Sequence, residues 1–127
     1  VSARTLSLLR VALGAFFLAA GLAKLFALDI ATTIVAEKGV PAPHMVALVV
    51  GAAEAFAGLV LLVNARTRAV AQTLIAGVVL AALVFHDPIG LGPGSASMTL
   101  VSLAIDASVV LGLTLLARAT PPAQPIR

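Results

Sequence analysis

Cysteine, tryptophan and tyrosine are absent from this 127-residue chain, and acidic residues number five. Without cysteine, the chain has no disulfide, thiolate metal site, iron–sulfur cluster or CxxC redox pair. Without Trp or Tyr, the aromatic belt that commonly marks membrane–water interfaces is missing. Charge is scarce as well: 10% of residues are charged, against about one quarter in soluble domains. The net charge of +3 comes from dispersed Arg and Lys. No basic run and no recurrent nucleic-acid motif is present, so nucleic acid is not an expected partner. Neither HExxH nor CxxCH occurs, and no metal site is expected.

Hydrophobic residues are plentiful, at 61% of the chain. A soluble domain of this size leaves too much of its surface exposed to hide them; lipid solvates such surfaces. A spanning helix needs about 20 mostly apolar residues, and four stretches qualify: about 6–26, 43–63, 69–85 and 98–117. The first contains Lys24 where a signal peptide would carry small residues for cleavage, so it is read as a retained span. Asn64-Ala-Arg66-Thr-Arg68 is a tight polar turn, His86 to Gly94 is dense in Pro and Gly, Thr120-Pro-Pro122 ends the last helix, and Pro125 keeps the tail irregular.

The first connection has its own pattern. Ala27, Ile30, Ala31, Ile34 and Val35 recur at helical spacing, and Asp29, Thr32, Thr33 and Glu37 lie largely on the other side. Residues 28–38 are too short to span and suit an amphipathic helix in the interface, stopped by Gly39 and Pro41. The expected fold is therefore all-α: an integral membrane four-helix bundle forming a single transmembrane domain over 1–127, with a short interfacial helix between the first two spans. Arg4, Arg66, Arg68, Arg118 and Arg127 fall on one side, with Arg10 near it. Asp29, Glu37, Lys38, His86 and Asp87 fall on the other. The basic side should be cytoplasmic, with both termini there.

An ionisable group at mid-membrane costs about 2.5–3.5 kcal/mol on insertion scales and normally faces protein or water with a partner. Arg10, Lys24, Glu54 and Asp106 are such groups, and with Gln72 they form a candidate intramembrane polar network. Arg10, Gly14, Phe17, Gly21 and Lys24 share one face of the first span, while Gly51 and Gly58 flank Glu54 on the second. Glycines at such spacing let helix backbones approach closely. Glu54 should lie near the midplane and point toward the first span. Arg10 is its favoured partner, because a guanidinium can hold a carboxylate with two hydrogen bonds; Lys24 is the alternative, and Gln72 a further donor. Such groups either fix helix register or form a proton- or quinone-associated site. On residues alone both readings stand. His44, His86 and Asp87 map to the outer face, where histidines serve as helix-end groups, proton-exchange points or partner contacts.

The pattern resembles the DoxX family of four-helix membrane proteins, including DoxX-like and DoxD-type relatives. The resemblance rests on Arg10 with Gly14-Ala-Phe-Phe-Leu-Ala-Ala-Gly21-Leu-Ala-Lys24-Leu, on Lys38-Gly-Val-Pro-Ala-Pro43, on Gly51-Ala-Ala-Glu54 followed by Gly58, and on Thr67-Arg68 with His86. It runs roughly from Leu9 to His86. It implies a bacterial or archaeal inner membrane, links to redox systems such as thiosulfate:quinone oxidoreduction, and matching positions at Arg10, Lys24, Glu54 and His86. The leading expectation is an accessory, non-catalytic subunit of a larger membrane redox or energy-converting complex, with the bilayer and other membrane subunits as partners. A quinone-linked oxidoreductase subunit, with a site near Glu54, Arg10 and Gln72, is the alternative. A small proton-coupled transporter using Glu54 and Asp106 is the second alternative. No cofactor is built into the chain; a bound quinone or lipid is the ligand these readings leave open.

Overall fold

The computed structural model describes residues 1–86 and 96–122, the side chains of 96–99 excepted. Asp87, most of the His86–Gly94 connection and Pro125 lie outside the described residues. Every regular element is a helix among those described: α1 (Ala3–Phe26), α2 (Leu28–Glu37), α3 (Pro43–Leu62), α4 (Thr67–Phe85) and α5 (Ala96–Ala119). Four of them are long and apolar enough to cross a membrane. The helices run a few residues beyond the apolar stretches at several ends, taking in polar residues such as Arg4 and Arg118, because arginine is a good helix former.

The chain forms two compact units, 1–66 and 67–127. In the first, α1 packs along α3, and α2 packs against α3 and α1. Ser2 caps α1, its hydroxyl accepting the Thr5 N–H at 3.1 Å. Lys38 closes α2, and Gly39 takes a φ of +70° to turn the chain. Pro43 then starts α3, where its missing N–H is no loss.

The end of α3 is built with care. Asn64 adopts a φ of +58°, and its N–H bonds to the Leu61 carbonyl while that of Ala65 bonds to Val60. This is a Schellman ending, with asparagine at the left-handed position that glycine usually fills. In the second unit α4 packs with α5. The Thr73, Ser108 and Thr114 hydroxyls each donate to the carbonyl four residues back, so these polar side chains are satisfied within their own helices.

Large apolar side chains face outward on all four long helices. Phe56 is 69% exposed and Leu80 63%, values that fit contact with acyl chains. For α2 the structure changes the expected face. Val35 is buried, and Leu28, Ala31 and Thr32 are half-buried, whereas Ile30 and Ile34 are exposed and Ala27 precedes the helix. The apolar repeat is therefore divided: one edge packs on the protein and a second, Ile30 with Ile34, points away from it. Asp29, Thr33 and Glu37 make the polar edge.

Candidate functional site: a clasped glycine seam

The α1–α3 contact is a seam of glycines. A methyl placed on Gly21 would stand 2.3 Å from the Ala55 nitrogen, and one on Gly58 would stand 2.3 Å from the Leu18 nitrogen. Gly14 meets Leu62 and Gly58, and Gly51 meets Leu25 and Lys24. The pairs run in opposite directions along the two helices, so α1 and α3 are antiparallel with backbones in direct contact.

This register decides the ion pairing. Every Cα–Cβ bond leans toward the N-terminus of its own helix. Lys24, near the end of α1, leans back toward the middle of the seam. Glu54, on antiparallel α3, leans toward the end of α1. The two converge, with Nζ and Oε2 2.6 Å apart and the side chains 39% and 24% exposed. Glu54 therefore points toward α1, but its partner is Lys24 and not the favoured Arg10.

Arg10 leans the same way as Lys24, but from the start of α1, which carries it away from Glu54 and toward the end of α3. It donates through Nη1 to the carbonyls of Leu61 and, at 2.9 Å, Leu62. The last four carbonyls of a helix lack intrahelical partners and carry its negative dipole end. The Schellman bonds engage Val60 and Leu61, and Arg10 covers Leu61 and Leu62. What sequence reading missed was this acceptor, since backbone carbonyls leave no mark in a search for charged partners. The signal was nevertheless present: the polar turn at Asn64 marks where the orphan carbonyls of α3 fall, level with the Arg10 end of α1.

The second unit carries a matching clasp. His86 Nδ1 lies 2.5 Å from Asp106 Oδ2, with side chains 30% and 23% exposed. Both residues were candidates from the sequence, yet in separate groups, and His86 was considered with Asp87 instead. Of the candidate residues, Lys24 meets Glu54 and Arg10 meets the end of α3 within the first unit, and His86 meets Asp106 within the second. Gln72 sits on an exposed position of α4. His44 is exposed at the start of α3, its Nδ1 3.4 Å from the Thr32 hydroxyl.

Four apolar spans, with a glycine seam and paired charges between helices, define a multi-pass membrane protein. The DoxX family model matches residues 5–87, about the stretch that the sequence motifs cover, and the chain belongs to that family. No curated protein and no solved structure matches the chain.

Proposed function

We propose that this DoxX-family chain is an accessory subunit of a larger membrane complex, of a redox or energy-converting kind. It would reside in a bacterial or archaeal cytoplasmic membrane with both termini inside. The observation that carries this reading is the clasped seam. Arg10, Lys24 and Glu54 are engaged in holding α1 to α3, which is how buried polar groups fix register. The outward face of α3 then offers Met45, Val49 and Phe56. A shallow depression of about 250 Å³ there, lined by Met45, Val46, Val49 and Val50, offers only apolar side chains to acyl chains or to a neighbouring helix. Loop arginines gathered at one end of each hairpin support the orientation.

Purification of the tagged full chain in mild detergent, followed by mass spectrometry, tests the proposal. Stoichiometric membrane subunits are expected; a chain that isolates alone from its native membrane at every detergent strength would sink it. A quinone-linked site is the second reading, favoured by the partial exposure of the Lys24–Glu54 pair, which leaves it within reach of a polar head group. Co-purified quinone, with Glu54→Gln assembling normally yet losing turnover, would move the assignment there.

A further inference from the structure

We propose that the outward edge of α2, Ile30 with Ile34, is seated among the acyl chains of the leaflet in which α1 ends, and is held there without help from head-group charge. α2 follows the first span almost without a break. Ala27 alone separates the two helices. Its N–H bonds to the Ala23 carbonyl, and its own carbonyl accepts from the Ala31 N–H, each at 3.0 Å. A helix of 10 residues is about 15 Å long, roughly half the hydrocarbon thickness, so α2 stays at the level where α1 leaves the membrane core. Phe26, the last residue of α1, is 89% exposed, and Ile30 and Ile34 are exposed after it. Exposed apolar surface thus continues from the span into α2.

Packing fixes which way that edge points. Val35 is buried and Leu28, Ala31 and Thr32 are half-buried, where α2 packs on α3 and α1. The Thr32 hydroxyl lies 3.4 Å from His44 Nδ1 at the start of α3. Successive residues turn by about 100°, so Ile30 and Ile34 share one flank of the exposed arc, and Asp29 and Ala36 lie on the other. α2 holds Asp29 and Glu37 and neither Lys nor Arg. Lys38 follows it, and Lys24 is engaged by Glu54. Interfacial helices that are drawn to anionic lipid carry Lys and Arg on their polar face. α2 lacks them, so its hold on the leaflet comes from buried apolar area. A protein occupant fits less well, because two isoleucines fall far short of the about 800 Å² per partner of a stable interface. The inference concerns the first unit and does not rest on the accessory-subunit reading.

The chain has no tryptophan or tyrosine, so a single introduced tryptophan reports on its own position. Ile30→Trp, Ile34→Trp and Ala36→Trp are each made in the full chain and reconstituted in vesicles of phosphatidylcholine brominated along its acyl chains. Relative to unbrominated vesicles, Ile30→Trp and Ile34→Trp should be quenched several-fold more than Ala36→Trp. Iodide on both sides of the membrane should reverse that order. Replacing part of the lipid with phosphatidylglycerol should leave the bromine quenching of both isoleucine replacements unchanged. Weak bromine quenching at both overturns the proposal: with strong iodide quenching the edge lies in water, and with protection from both quenchers it lies against a second copy or another chain. Quenching that appears only when phosphatidylglycerol is present overturns it as well. Both isoleucines are exposed, and if one replacement loses its helical circular dichroism the other decides.

Discussion

Replacing Gly21 with alanine tests the seam most directly. The added methyl would lie 2.3 Å from the Ala55 nitrogen, 2.5 Å from the Gly51 carbonyl oxygen and 2.8 Å from the Ala55 Cα. All three are backbone atoms, so no side-chain rotation relieves the clash. Ordinary contact is about 3.5–4.0 Å between carbon atoms, so α1 and α3 must separate by about 1 Å at that level. Overpacking of this kind costs about 1–3 kcal/mol. Separation also lengthens the reach between Lys24 and Glu54. Gly58→Ala meets the Leu18 nitrogen at 2.3 Å and the Gly14 carbonyl at 2.6 Å and should behave alike.

Gly51→Ala meets the Leu25 and Lys24 side chains at 3.1–3.2 Å, atoms that can yield, and should cost less. Gly77 on α4 meets nothing within 4 Å, so its alanine variant should be neutral or more stable by up to about 1 kcal/mol through helix propensity. Unfolding of each variant in mixed detergent micelles, followed by circular dichroism, gives the ranking. If Gly21→Ala were as stable as Gly77→Ala, the close approach of α1 and α3 would be wrong.

Glu54→Ala should destabilise the chain by about 1–2 kcal/mol, below the about 3–5 kcal/mol of a fully buried pair, because Lys24 can turn to water. The Lys24→Glu/Glu54→Lys exchange should recover part of that loss, and no recovery in a double-mutant cycle would deny a direct pair. Arg10→Met should cost about 1–2 kcal/mol by exposing the α3 carbonyls, and Arg10→Lys should restore little, since an ammonium is a point charge without the planar fork. A Glu54 variant should leave that Arg10 effect unchanged, and strong coupling between the two would contradict the observed partners. Cysteines at Ser2 and Ala65 should react with an impermeant thiol reagent from one side of the membrane and a cysteine at Gly39 from the other. Labelling of all three from one side would refute antiparallel α1 and α3 spans.

The helices were legible because apolar length is a strong signal: a run of about 20 such residues has little alternative but to span. The glycine face was legible for a related reason, since Gly14, Gly21, Gly51 and Gly58 repeat at the spacing that brings small residues to one side of a helix. The packing face of α2 was harder. Ile30 and Ile34 match the helical period as well as Val35 does, and periodicity does not tell protein contact from membrane contact when both are apolar. Only the position of α3 beside the helix separates them.

Charge pairing failed for a reason that geometry makes plain. Choosing Arg10 over Lys24 weighed the strength of a bidentate contact and ignored direction. In an antiparallel pair, a side chain leans toward the start of its own helix, so an acid in the second helix meets a base that follows it along the seam toward the end of the first. Lys24 satisfies that condition for Glu54, and His86, at the end of α4, satisfies it for Asp106 on α5. Arg10, at the start of α1, leans away and reaches the end of α3 instead. Both hairpins thus follow one rule: a basic group at the end of the first helix clasps an acid about three turns into the second. The two clasps differ in their base, a lysine in one and a histidine in the other.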